Sequence, residues 1–192
     1  MIYQPDIETR PVDEQFALDR DSYRKQVAYL FENSDFYRKK LMEAGFDSAA
    51  AVGELDDIAQ LPFTEKDEIR KTQATFPPFG EHLACPPEDL LRVFSTSGTT
   101  GVPCYLGLTR NDIDIYATNV ARGYTAAGFQ KGQRLVVGFN AGPFVAGAVY
   151  YGFDKIGCTV IPVGTGNTER LVSAIRNLKA TGISCTPSYG LY

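Results

Sequence analysis

From Arg134 onward, apolar β-branched runs alternate with helix-patterned segments, and this alternation constrains the fold more than any other feature of the chain. Arg134 to Asn140 predicts a buried strand. Phe144 to Ile156 predicts an apolar helix rich in small residues and stopped at Gly157. Cys158 to Val163 predicts the next strand, Thr168 to Ala180 an amphipathic helix with Leu171, Ile175 and Leu178 on one face, and Ile183 to Thr186 the start of a third strand. Strands and helices alternating through short links are the signature of a parallel sheet covered by helices. The run Pro187-Ser188-Tyr189-Gly190-Leu191-Tyr192 supplies no covering helix for the third strand, so the sheet is expected to continue in a longer parent.

The segments ahead of the alternation are of another kind. Tyr23, Val27, Leu30 and Phe31 share one face of a helix expected to begin near Asp21 or Ser22. A second helix, capped by Ser34 or Asp35, carries Tyr37 and Leu41 and stops at Gly45. Thr64 and Asp67 form a capping-box-like start for a helix to about Lys71, with Phe63 placed as a hydrophobic staple. Phe76 to Pro87 is Pro-rich and reads as a connector. Leu91 to Phe94 predicts a short strand, and Thr109, with Asp112 three positions on, caps a helix running to about Ala127 and stopped at Gly128. The expected fold class is α/β. A helical subdomain spans 1–76, a connector 77–90, and an α/β subdomain, incomplete at its C-terminal end, 91–192.

Charge and cysteine usage exclude several functions. A formal charge of −4 and a pI near 5.1 leave no basic footprint for nucleic acid. No apolar stretch is long enough to span a bilayer, and Met1-Ile2-Tyr3-Gln4-Pro5-Asp6 has no secretory pattern, so a cytoplasmic protein without a membrane partner is expected. Cys85, Cys104, Cys158 and Cys185 form no C-x-x-C pair, and His82 is the one histidine, so no metal site is assigned. Cys158 and Cys185 open apolar runs and read as small core residues.

The chemistry lies in Ser95-Thr96-Ser97-Gly98-Thr99-Thr100-Gly101-Val102-Pro103. Gly98 and Gly101 bracket two threonines and let the backbone turn its N–H groups towards a common point. The hydroxyls of Ser97, Thr99 and Thr100 add neutral donors around it. A polyphosphate is the natural guest of such a concave set. This is not a Walker A loop, because no lysine follows the glycines. A polar surface turn has the same composition, and only the order of the residues separates the two.

In that order, residues 95–103 resemble the phosphate-binding signature of the adenylate-forming superfamily. Leu61-Pro62-Phe63-Thr64-Glu65-Lys66-Asp67, Val163-Gly164-Thr165-Gly166-Asn167-Thr168-Glu169-Arg170 and Thr186-Pro187-Ser188-Tyr189 are similar, in sequence order, to segments of its phenylacetate–CoA ligase branch. The resemblance covers nearly the whole chain and implies its N-terminal portion.

The reaction so implied joins a small-molecule carboxylic acid to the α-phosphate of ATP, releasing pyrophosphate, and then exchanges AMP for CoA. Mg²⁺ neutralises the polyphosphate. Ser97, Gly98, Thr99, Thr100 and Gly101 are the implied contacts to the ATP phosphates. Phe139, Phe144, Tyr150 and Tyr151 are the implied lining of the acid pocket, although helix–sheet packing accounts for each of them singly. Many superfamily members carry lysine after the Gly-x-Pro of the loop; this chain has Cys104, a departure that the resembling branch often shares. The nucleoside-binding motifs and the catalytic lysine are implied downstream, so no catalytic residue is assigned here and the 192 residues alone are expected not to turn over. The branch is commonly dimeric, which puts a homodimer among the partners. Two other functions stay open: an adenylating enzyme whose acceptor is a carrier protein or a cofactor, and a non-catalytic nucleotide-binding module.

Overall fold

The computed structural model describes residues 1–96, 101–140 and 145–191, with 145 and 146 described by their backbone alone. In chain order the elements are α1 (Pro5–Glu8), α2 (Val12–Asn33), α3 (Asp35–Glu43), α4 (Lys66–Thr75), β1 (Arg92–Ser95), β2 (Tyr105–Leu108), α5 (Arg110–Ala126), β3 (Arg134–Val137), α6 (Val149–Ile156), β4 (Thr159–Pro162), α7 (Thr168–Asn177), β5 (Gly182–Ser184) and α8 (Pro187–Leu191). The chain forms two compact units, Thr9–Gly107 and Met1–Glu8 with Leu108–Tyr192. The expected connector at 77–90 falls inside the first unit.

In Thr9–Gly107 the core is built on Val27, Leu41 and Val52. Helix α2 begins at Val12 rather than near Asp21, because Pro11 pre-sets the entry and Asp13 and Glu14 complement the first turn. The apolar stripe hides this start, since Val12, Phe16 and Leu18 are exposed. Ser34 caps α3 as expected, accepting from Tyr37 N at 3.4 Å. The cap of α4 lies one residue beyond the expected Thr64–Asp67 pair. Glu65 N donates to Glu68 Oε2 at 2.6 Å, and Lys40 of α3 donates to that same oxygen at 2.7 Å, so the carboxylate serves the cap and the α3–α4 contact together. Phe63 is 91% exposed and makes no staple. Strand β1 is the expected one. Its partner β2, which the sequence did not announce, forms a two-stranded sheet with it, and Leu90 packs where a Cβ on Gly107 would stand.

In the other unit β3, β4 and β5 are parallel in the order β4-β3-β5, with Leu135 opposite Val160 on one side and Gly182 on the other. Leu135, Val136 and Val137 are fully buried, as a strand covered on both faces requires. Helices α5 and α6 meet at Gly152, where a Cβ would stand 2.2 Å from Val120 Cγ1. Thr109 and Asp112 form the expected capping box of α5, and Gly157 ends α6 in the left-handed region. Phe144 lies outside the described residues; Val145–Ala148 is a 3₁₀ turn and the α-helix itself starts at Val149. The segment after β5, expected to carry no helix, forms the short α8, begun by Pro187 at a position where its missing N–H is harmless. Because β4 and β5 flank β3, the β3–β4 and β4–β5 links run in opposite directions across the sheet, the arrangement in which open α/β sheets take ligands at the carboxyl ends of their strands. No helix among the described residues is long and apolar enough to cross a membrane, and no group of His, Cys, Asp and Glu among them is arranged to hold a metal ion.

Candidate functional site

The candidate residues are divided between the two units. In Thr9–Gly107, β1 and β2 converge on the loop. Thr96 N donates to Cys104 O at 3.0 Å, and Cys104 N donates to Thr96 Oγ1 at 3.1 Å, so the strand ends are closed on each other at the loop's base. Ser97, Gly98, Thr99 and Thr100 lie outside the described residues. Gly101 has φ +103°, a backbone that favours glycine, and no atom of the described residues lies within 4 Å of where a Cβ would be. Cys104 is 2% exposed and its Sγ lies 3.9 Å from Lys66 O, so it packs the base of the loop.

Helix α4 holds the exit of the loop through residues that sequence reasoning missed. Arg70 Nε donates to Val102 O at 3.1 Å and Nη1 pairs with Asp67 Oδ1 at 2.7 Å, while Nη2 is buried with no hydrogen-bond partner among the described residues. Gln73 is buried, and its carboxamide bonds to both backbone groups of Tyr105. Lys66, Arg70 and Gln73 are spaced i, i+4 and i+7, one face of α4. A polar stripe at that spacing just ahead of a Gly- and Thr-rich loop was the available signal.

In the other unit the structure brings two of the four pocket candidates together. Phe139 and Tyr150 meet edge to face with ring centroids 6.0 Å apart, and both pack on the Leu135–Phe153 core. Burial raises the Tyr150 phenol above its ordinary pKa. Tyr151, one step around α6, instead lines a groove of about 620 Å³ with Arg110, Asp114 and Lys155, where Lys155 pairs with Asp114 at 2.8 Å. Phe144 lies outside the described residues. At the carboxyl edge Asn140 ties β3 to the segment after β4, accepting from Thr165 N at 3.1 Å and donating to Thr165 Oγ1 at 2.9 Å. At Gly138 a Cβ would press on Cys185 and Leu171 at 3.2 Å, so glycine keeps the backbones close at this edge.

No family model matches the chain. It is 41% identical over 190 residues to a phenylacetate–coenzyme A ligase of Thermus thermophilus, covering 98% of this chain and 41% of that protein. It is 37% identical over 186 residues to a phenylacetate–coenzyme A ligase of Escherichia coli, again with 41% of the relative covered. In fold it matches a solved 2-hydroxyisobutyryl-CoA ligase in complex with 2-HIB-AMP and CoA, with TM-score 0.91 and 29% identity, over 99% of this chain and 41% of that one. The chain is thus similar to phenylacetate–CoA ligases over nearly all of its own length and spans about two fifths of the length of the curated relatives it matches.

Proposed function

We propose that this chain contributes the polyphosphate-binding part of an AMP-forming acid–CoA ligase. The observation that carries the reading is the loop at 95–103, closed at its base by Thr96 and Cys104, in a chain 41% identical to a phenylacetate–coenzyme A ligase. In this reading a carboxylate oxygen attacks the α-phosphorus of ATP and the bond to pyrophosphate breaks. The CoA sulfur then attacks the acyl carbon and AMP departs. The protein's part in the first step is to hold the polyphosphate still and to match its charge. Ser97, Gly98, Thr99, Thr100 and Gly101 are the residues we assign to the β- and γ-phosphates. Phe139 and Tyr150 are the residues we assign to the acid pocket, with Phe144 as a further candidate, while Tyr151 lines the groove beside Arg110 and Lys155 instead. Mg²⁺ as the neutralising ion, an aryl acid as substrate, a cytoplasmic setting and a homodimer complete the proposal.

The test is to incubate the full gene product with ATP, Mg²⁺, CoA and a panel of aryl acids, and to follow AMP by chromatography and the thioester by mass. Acid-dependent AMP with acyl-CoA supports the reading. Acid-dependent AMP without acyl-CoA moves the acceptor to a carrier protein or another cofactor, and no acid-dependent AMP at all rejects the ligase.

A further inference from the structure

The end of β3 is held differently from the strand itself. Val137 O accepts from Val163 N and Gly164 N, both at 3.1 Å, and Gly138 N donates to Ser184 O at 2.9 Å. Beyond Gly138 the ladder stops: among the described residues no backbone–backbone hydrogen bond joins Phe139 or Asn140 to a neighbouring strand. The hold on this turn passes to side chains. Asn140 Oδ1 accepts from Thr165 N at 3.1 Å, and Nδ2 donates to Thr165 Oγ1 at 2.9 Å. A backbone N–H can only donate, so the carboxamide has one orientation in this pair. The Tyr150 hydroxyl reaches Phe139 O at 3.5 Å, the outer limit of a hydrogen bond.

The segment that receives Asn140 is shaped for it. Gly164 and Gly166, on either side of Thr165, have φ +78° and +81°. At Gly164 a Cβ would stand 2.7 Å from Asn140 Oδ1, so a side chain there and the carboxamide exclude each other. Asn167 then caps α7, accepting from Arg170 N at 2.8 Å. Thr165 is thus anchored on one side by α7 and on the other by Val137. Asn140 and Thr165 are both exposed, so their two bonds compete with water and add little to overall stability. What they fix is local. They set the direction in which the chain leaves β3, and with it the Phe139 ring, which meets Tyr150 edge to face at 6.0 Å.

We infer that Asn140 is a positioning residue for acid selection. Clamped to Thr165 at the carboxyl edge of the sheet, it holds Phe139 against Tyr150 and so sets the width of the space that the acid's ring enters. Released from the clamp, the Phe139 ring draws back and the space widens. The inference rests on the acid-pocket reading of Phe139 and Tyr150, but not on the identity of the acceptor.

The experiment gives the full gene product ATP, Mg²⁺, CoA and pairs of aryl acids of different ring size in competition, read as the ratio of thioesters by mass. Asn140→Ala removes both bonds, and Gly164→Ala expels the carboxamide from a position outside the pocket. Each is expected to shift the ratio towards the larger acid by about fivefold, with the KM for ATP unchanged. Thr165→Val removes one bond and should shift the ratio less, and adding it to Asn140→Ala should change nothing further. Asn140→Asp, whose carboxylate accepts from both Thr165 N and Oγ1, should keep the wild-type ratio. A merely structural role lowers the yield of both thioesters and leaves their ratio alone. Hydrogen exchange reads the clamp without turnover. The Thr165 amide should exchange about fivefold faster in Asn140→Ala, while those of Val163 and Gly164, bonded to Val137, hold their rates. An unchanged ratio in Asn140→Ala and Gly164→Ala, where Tyr150→Leu shifts it, overturns the inference and keeps the pocket. No shift in any of the three removes the pocket reading and the inference with it. An unchanged Thr165 exchange rate in Asn140→Ala overturns the inference whatever the ratio.

Discussion

Gln73 and Tyr105 bond side chain to backbone in both directions: Nε2 donates to Tyr105 O at 2.7 Å, and Oε1 accepts from Tyr105 N at 3.2 Å. A primary amide has the same donor–acceptor pair as a peptide, so one helical side chain completes the free edge of β2 as a further strand would. Gln73→Leu leaves both Tyr105 groups facing an apolar chain and is expected to cost about 2 kcal/mol. Gln73→Glu keeps the volume but turns a carboxylate oxygen towards the carbonyl, and should cost at least as much. Urea unfolding of the purified protein measures both, and a loss below about 0.5 kcal/mol in each would remove Gln73 from the account of the loop.

His82 gives a pH dependence of stability with a definite sign. It lies half-buried on Thr72, with Nδ1 at 3.1 Å from Oγ1, and Thr72 Oγ1 donates to Ile69 O at 3.0 Å. Burial lowers its pKa below the ordinary 6.5. Above 6.5 both folded and unfolded chains hold the ring neutral, and the contribution is fully present. As the pH falls below that value the unfolded chain takes up the proton first, and stability declines until the folded pKa has been passed. His82→Gln should flatten this part of the stability–pH curve while leaving the arm above pH 7 little changed. An identical slope in the variant would assign the acid sensitivity to other groups.

What the sequence disclosed follows the range of the forces involved. Local signals were readable: Ser34 at the start of α3, the Thr109–Asp112 box of α5 and the stop at Gly157 each satisfy backbone groups within a few residues. The β3–α6–β4–α7–β5 alternation was readable because burial on both faces makes the strands continuously apolar. Strand β2 was not. Its Tyr105–Leu108 segment is short, and one of its partners is a glutamine side chain on a helix 32 residues away. The cap at Glu65 was misread by one position because Lys40 of another helix helps choose which carboxylate is fixed. Within the candidate site the loop was singled out by its residue order, with 97–100 outside the described residues, and Phe139 and Tyr150, named for their place after β3, meet in ring contact. Arg70 was hidden, since an arginine on a helix surface looks like any other until Val102 is found beside it.

Gly152 sets the separation of α5 and α6. A Cβ there would stand 2.2 Å from Val120 Cγ1 and 3.1 Å from Ala117 O, and the second atom is backbone that cannot turn aside. Alanine is worth about 1 kcal/mol over glycine in a helix interior. Overpacking costs typically about 1–3 kcal/mol, so Gly152→Ala is expected to be net destabilising by up to about 2 kcal/mol. Val120→Ala removes Cγ1 but keeps the Val120 Cβ, which would stand 2.4 Å from the added atom, so it relieves the clash only in part, and the double variant should be modestly more stable than the sum of the two single losses. Thermal unfolding of the four proteins tests this, and strict additivity would show that the two positions do not meet.

Phe139, Tyr150 and Tyr151 are close in the fold yet should answer an acid-specificity assay differently. Phe139 and Tyr150 are in ring contact, and the Tyr150 hydroxyl reaches Phe139 O at 3.5 Å, so removing one ring opens space against the other. Tyr150→Leu should therefore shift the preference among aryl acids towards larger rings, by about 10-fold in relative kcat/KM, with the KM for ATP little changed. Phe139→Leu should act in the same direction and more weakly, because Phe139 sits at the strand end, against the core. Tyr151 faces the Arg110–Lys155 groove on another side of α6, and Tyr151→Phe should leave the acid preference unaltered. Competition between pairs of acids, read as a ratio of thioesters by mass, isolates specificity from any loss of overall activity. A shift produced by Tyr151→Phe and absent in Tyr150→Leu would move the acid pocket to the α5–α6 groove, away from the carboxyl edge of the sheet.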